Sequence, residues 1–256
     1  MSATVPMPFL PDSSVTIVQL YPEELGVAGD RGNMMALRER LVRAGATVSV
    51  VEHRVGDTLP SGADLVLVGN GPISAIRNIH DDLQVIAPDL RALRDDGVPI
   101  FAYGAGAELL GHEISPLDGA TIAGLGLFPF RTTRVTERKV GYVIVDTPLG
   151  QVVGFEDNAS LWQLDAGATA FGSLVVGGGN GDGRNEGVAL GSSIATQVGG
   201  PVLPLNPLLT DALIRSIASR RDFDYASGIA HADLDRYATR AREVISANAK
   251  HVFSRI

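Results

Sequence analysis

Short apolar runs alternate with amphipathic stretches through the first hundred residues. Val15–Leu20, Thr47–Val51, Leu65–Val68 and Ile100–Tyr103 are four to six residues long and rich in Val, Ile and Leu. Runs of this length without strict alternation predict strands buried on both faces. Between them, Asn33–Ala44 places Met34, Leu37, Leu41 and Val42 near helical spacing and stops at Gly45, and a second helix is predicted around Asp81–Arg94. The order β-α-β-β-α-β is that of a mainly parallel sheet covered by helices.

The pattern changes after about residue 130. Arg131–Thr136, Val140–Asp146, Gln151–Phe155, Ala170–Val176 and Gly187–Leu190 read as strands without intervening helices, which predicts antiparallel additions to the sheet. Helices return after the Pro-rich stretch Gly200–Pro207, at Leu208–Ser219 and Ala232–Val252. Residues 1–13 carry three prolines and little periodicity, so a flexible N-terminal tail followed by one domain over 14–256 is expected.

Composition removes several classes of function. With 21 Lys+Arg against 29 Asp+Glu the formal charge is −8, which is not the electrostatic footprint of a nucleic-acid binder. No apolar run is long enough for membrane insertion, and the start lacks a secretory pattern, so a cytoplasmic location is expected. The chain has no cysteine, hence no disulfide, thiolate metal site or thiol nucleophile. The five histidines, His53, His80, His112, His231 and His251, show no metal-binding spacing, and neither a metal nor a cofactor is called for.

The stretch Val98-Pro-Ile-Phe-Ala-Tyr-Gly104-Ala-Gly106-Ala-Glu-Leu-Leu-Gly111 runs from an apolar strand through a tight turn into a short helix. Such elbows raise a nucleophile above a sheet, beside helix N-terminal amides that hold an oxyanion. Here the tip is Tyr103-Gly104-Ala105, with no Ser, Thr or Cys. A dinucleotide reading fails because the third glycine of the fingerprint falls on Leu109. The glycine cluster Gly177–Gly187 does not fit a calcium loop, since Arg184 falls on a ligand position, and it reads as a flexible surface hairpin.

Taken in order, several segments resemble the glutaminase subunit of lipid II isoglutaminyl synthase, a class I glutamine amidotransferase of the cobyric-acid-synthase-like branch. They are Leu20-Tyr-Pro leading into Gly29-Asp-Arg-Gly-Asn33, the loop Leu67-Val-Gly69-Asn70-Gly71-Pro72, the elbow Phe101–Gly111, Gly124–Phe128, Gly154-Phe-Glu156 and Gly200–Pro207. The resemblance spans about Val15–Ile217 and implies a three-layer α/β sandwich around a central, mainly parallel sheet. It also implies a glutaminase that passes ammonia to a Mur-ligase-like, ATP-dependent synthetase acting on a peptidoglycan precursor.

At the reacting positions the chain departs from that family. The elbow cysteine falls on Gly104 and the general-base histidine on Gly199; Pro72 and Ile73 replace a glutamine and an aspartate, and Asn158 replaces a histidine. Loss of nucleophile and base costs roughly 10⁶-fold in turnover where such residues act as a unit. The expectation is a pseudoenzyme that binds, stabilises or regulates a Mur-ligase-like synthetase. Its ligand-binding residues would be Gly69, Asn70, Gly71, Ala105 and Arg138, the last aligning with an arginine that binds glutamine in the family. Arg138 reads equally well as a solvated strand-end charge. Asp30 or Asn33 is expected to cap the first helix. Two alternatives stand beside this expectation: an active hydrolase whose nucleophile is Tyr103, Ser192 or Ser193, and a sensor that holds glutamine or another amino acid in the vacated pocket.

Overall fold

The computed structural model describes residues 14–27, 29–252 and 254–255; the tail expected over 1–13 lies outside the described residues. In chain order the elements are β1 (Ser14–Leu20), α1 (Asp30–Arg43), β2 (Thr47–His53), β3 (Leu65–Val68), α2 (Ile73–Asp95), β4 (Ile100–Tyr103) and α3 (Gly104–Leu110). There follow β5 (Glu113–Ser115), β6 (Ile122–Ala123), β7 (Phe130–Thr147), β8 (Gly150–Leu164), β9 (Gly172–Val176), β10 (Asn185–Glu186), β11 (Val188–Leu190) and β12 (Ser193–Thr196). The chain continues with α4 (Val202–Leu205), α5 (Pro207–Arg220), α6 (Ala232–Val252) and β13 (Ser254–Arg255).

Six strands form the central sheet in the order β11-β12-β4-β3-β1-β2, parallel except at β11. Side-chain alternation explains its two covers. Val66, Val68, Ile100 and Ala102 face Ile76, Ile79, Leu83 and Leu90 of α2 in one apolar cluster. Leu65, Leu67 and Phe101 face Leu37 and Leu41 of α1 and Leu213, Ile214 and Ile217 of α5 in another. Strands buried on both faces thus carry the unbroken apolar runs seen in the sequence.

The antiparallel additions divide in two. β11 extends the central sheet, whereas β5–β10 and β13 build a second, seven-stranded sheet around the long β7–β8 hairpin. The two strands expected at Arg131–Thr136 and Val140–Asp146 are one, β7, whose register shifts between Arg134 and Lys139. The charged run between them occupies that irregularity and so imitates a loop. α2 begins at Ile73, earlier than expected, because Ser74, Arg77, Asn78 and His80 dilute an apolar stripe of Ile73, Ile76, Ile79 and Leu83.

The Gly177–Gly187 segment is not a free surface hairpin. Asn180 is buried and exchanges hydrogen bonds with Gly187, while the carbonyl of Gly179 accepts from Lys139 Nζ (2.7 Å) and Gln197 Nε2 (3.1 Å). Among the described residues, no helix is long and apolar enough to cross a membrane.

Candidate functional site

The loops that leave the carboxyl ends of β1, β3, β4 and β12 meet at one edge of the central sheet, the usual ligand side of such folds. The elbow lies among them. Tyr103 ends β4 in extended conformation, and Gly104 turns the chain with φ +57°, a left-handed geometry that glycine tolerates best. Two residues on, the Gly106 amide donates to the Gly69 carbonyl at 3.0 Å. A Cβ on Gly106 would lie 2.2 Å from that oxygen, so this glycine is required by close approach.

Gly69 is constrained from the other side. A Cβ there would stand 1.2 Å from Asp30 Oδ2 and 2.1 Å from the Leu25 carbonyl. Asp30 is the first residue of α1, but the residue that precedes the helix is Gly29 and no side chain caps it. The expected capping role is therefore corrected: Asp30 turns inward and accepts hydrogen bonds from the Asn70 amide and the Asn33 side chain. Burial outweighs both contacts and pushes its carboxyl up to about 7. Asn33 likewise reaches across rather than capping, accepting from the Leu203 amide (2.9 Å) and donating to the Gly200 carbonyl (3.3 Å). Gly29 and Gly32 allow this approach, since Cβ atoms on them would come 2.9 and 3.0 Å from the Pro201 ring.

Gly199, the position expected for the general base, is held as a bridge to Phe155, its amide donating to the Phe155 carbonyl at 2.7 Å. A Cβ there would face the Tyr103 ring at 3.3 Å, so a side chain at Gly199 points toward the strand end that bears the elbow. The loop before it is shaped by buried Glu186, which accepts from Thr196 Oγ1 (2.8 Å) and the Gln197 amide (2.6 Å). Burial raises the Glu186 carboxyl to about 7, and the neighbouring Glu156 charge works in the same direction. Glu156, in turn, accepts from the Gly178 amide and faces the buried Lys139 ammonium. Its own carboxyl is raised by burial.

Of the expected ligand-binding residues, Gly69, Asn70 and Ala105 meet at the elbow, where the Ala105 amide donates to Asn70 Oδ1 at 2.8 Å, while Gly71 follows in the loop against Glu24 and Leu25. Arg138 lies at the irregular part of β7, half exposed and paired with Asp157 at 2.5 Å. Sequence reasoning missed Arg134 from the same charged run. Its guanidinium lies 2.5 Å from buried Glu108 of α3 and borders a cavity of about 330 Å³ with Ile73, Arg77 and Ala159. The sequence signal was present, a lone glutamate inside the otherwise apolar elbow helix, which needs a cationic partner.

Each of the alternative nucleophiles is engaged in a contact of its own. Tyr103 is buried, donates from Oη to the Val27 carbonyl at 3.0 Å, and burial raises its phenol well above the ordinary range. Ser193 pairs with the start of β4, its Oγ accepting from the Ile100 amide at 3.0 Å, at the opposite end of that strand from the elbow. Ser192 lies beside Gly97, farther still along the chain from the turn. The histidines also find work elsewhere: His53 against Tyr21 and Asp82, His80 against Ala123, His112 against Asp165, and His231 against Arg40. His251 is exposed on α6. The Ala105 N–H, placed as an oxyanion donor would be, already donates to Asn70 Oδ1, and neither Gly104 nor Gly199 can form an acyl intermediate or move a proton.

Comparison with known proteins agrees with this architecture. The chain is 28% identical over 214 residues to the lipid II isoglutaminyl synthase (glutamine-hydrolyzing) subunit GatD of Staphylococcus aureus (strain N315), covering 82% of this chain and 87% of the relative. The GatD subunit of Streptococcus pneumoniae (strain ATCC BAA-255 / R6) is 26% identical over 213 residues, 81% of this chain and 82% of that one. Among solved structures, a glutamine amidotransferase from Thermotoga maritima superposes with a TM-score of 0.52 at 11% identity, covering 91% of this chain and 94% of that chain. PurLQS from the same organism gives 0.51 at 16% identity, with coverage of 81% and 98%. These two share the fold, the class I amidotransferase sandwich expected from the sequence. Residues 16–204 match the CobB/CobQ-like glutamine amidotransferase domain, and the chain belongs to that family.

Proposed function

We propose that this chain is a non-hydrolysing amidotransferase-like subunit that binds and stabilises, or regulates, a Mur-ligase-like ATP-dependent synthetase in cell-wall precursor modification. The relatives named as subunits of lipid II isoglutaminyl synthase support the assignment to a two-component amidating system. The observation that carries the loss of hydrolysis is the elbow. Gly104 has the left-handed turn of a nucleophile position and no side chain, Gly199 faces the same strand end with none, and the sequence contains no cysteine. Acyl transfer needs a nucleophile and a base, and removal of both leaves only oxyanion and binding effects. The synthetase would then draw on free ammonia or another amine.

In this reading residues 14–256 act as one domain in the cytoplasm, a unity supported by an apolar cluster that joins Val18 and Val66 of the central sheet to Ile114, Phe130 and Trp162 of the second. The test is ammonia release from isotopically labelled glutamine, by the chain alone and with the synthetase that co-purifies from its host. Release equal to the heat-inactivated control is expected in both samples. Sustained turnover in either overturns the proposal, as would a synthetase that folds and works identically without this chain.

A further inference from the structure

The site is not empty. Asn70 follows Gly69 out of β3, and its backbone is fixed on both sides: the Val27 amide donates to its carbonyl at 3.1 Å, and its own amide donates to the Asp30 carboxyl. From this anchored position the side chain lies over the elbow. A Cβ at Gly104 would stand 2.4 Å from Asn70 Oδ1, 2.6 Å from Cγ and 3.0 Å from Cβ. The same Oδ1 accepts the Ala105 amide hydrogen at 2.8 Å.

These contacts have the chemistry of a substrate. When an elbow enzyme attacks an amide, the scissile carbonyl oxygen sits on the amide N–H that follows the nucleophile, and the carbonyl carbon sits within reach of the nucleophilic side chain. Asn70 puts a carbonyl oxygen on that N–H and a carboxamide carbon against the place of that side chain. Its group is a primary carboxamide, as is the reacting end of glutamine. We infer that Asn70 is an internal stand-in for the substrate carboxamide, and that it closes this chain's elbow to glutamine and to any free carboxamide-bearing amino acid.

The inference rests on the reading of a non-hydrolysing centre and deepens it. A tethered group competes at an effective concentration at least in the millimolar range, so free glutamine at cellular levels is disfavoured wherever Asn70 stays in place. A side chain at position 104 begins with an atom that crowds this carboxamide, which must then shift while its anchored backbone keeps it beside the elbow. Restoring Gly104→Cys and Gly199→His therefore does not by itself rebuild the glutamine pocket.

Binding without turnover tests this. Calorimetric titration with L-glutamine is expected to show no heat of binding for the wild type at millimolar ligand, and saturable binding for Asn70→Gly. Asn70→Asp keeps an acceptor oxygen on the Ala105 amide and is expected to stay closed like the wild type. Asn70→Ser, shorter but still polar, provides a second open variant should Asn70→Gly fail to fold by circular dichroism. As an independent readout, acivicin is expected to label Gly104→Cys/Asn70→Gly at least roughly tenfold faster than Gly104→Cys alone, by intact mass. Glutamine binding by the wild type equal to that of the open variants overturns the inference, and so does a folded open variant that binds no glutamine. Neither result touches the absence of ammonia release, whereas release by the wild type would remove the proposed function first.

Discussion

The glycines around the elbow fall into two groups that look alike in the sequence and differ in what surrounds them. Gly69 and Gly106 belong to the frame: each presses backbone against backbone or against the Asp30 carboxyl, with no room for one more carbon. Gly104 and Gly199 stand where the family pattern puts the nucleophile and base, and a Cβ would meet a polar side chain at one and an aromatic ring at the other. The frame is thus built to the tolerance of a working site, while the positions that would use it carry no reactive group. Shape and chemistry are separable in this molecule, and the buried acids show which the fold retains: Asp30 holds the glycine loop, and Glu186 holds the loop before Gly199.

The sharpest way to break this contrast is Gly69→Ala. The added methyl would fall 1.2 Å from Asp30 Oδ2, on a side chain held by the Asn70 amide and Asn33, and 2.1 Å from the Leu25 carbonyl, which is fixed backbone. Overpacking against fixed backbone is expected to cost about 3 kcal/mol or more, read from the urea midpoint of unfolding. A loss below about 1 kcal/mol would show that the loop has slack and that the frame is less tight than its distances imply.

Next in size is the pH dependence carried by Glu186. Its carboxyl rises from 4.5 to about 7 on folding, so the folded state keeps a proton that the unfolded chain releases. The associated stability is fully present below about pH 4.5 and is lost as pH rises through about 7, a change on the order of 3 kcal/mol. Glu186→Gln imitates the protonated form, with its carboxamide able to donate to Thr196 Oγ1 and accept from the Gln197 amide. Wild-type Tm is expected to fall by roughly 5 °C or more relative to this variant between about pH 5 and pH 8. Parallel curves for the two proteins would mean that Glu186 is charged in the fold. Asp30 gives the same sign, and its own curve is sharpened separately by Asp30→Asn.

Much of the fold was legible because its strands are buried on both sides. β3 and β4 are continuous apolar tetrapeptides, and α6 carries an amphipathic pattern across its whole length. β12, by contrast, reads Ser-Ile-Ala-Thr, and its central place beside β4 comes from tertiary pairing that no local pattern announces. The reacting positions were legible as departures from a family pattern, since a glycine in an elbow is visible in one dimension. Asn70 was visible only as a member of a glycine loop, and its occupation of the elbow depends on a contact spanning 35 residues. Lys139 was hidden for a related reason: a lysine in a charged run predicts solvent, yet its ammonium is buried against the carbonyls of Ser160 and Gly179.

The smallest expected effect is the one most particular to the contrast. At Gly199 the backbone is not left-handed, and a new Cβ would meet Tyr103 Cε2 at 3.3 Å and the Phe155 carbonyl at 3.4 Å, distances that a shift of a few tenths of an ångström relieves. Gly199→Ala is therefore expected to change stability by less than about 1 kcal/mol, in either direction, because reduced freedom of the unfolded chain offsets the crowding. The Phe155 bridge limits how far the loop can move, so the Tyr103 ring must supply the adjustment, and its Oη bond to Val27 is the contact that would lengthen. Measured beside Gly69→Ala in the same urea series, a near-neutral result separates a position whose glycine the packing does not require from one that bears the packing. A cost matching that of Gly69→Ala would place Gly199 in the frame as well, and the glycine there would then be required by the fold.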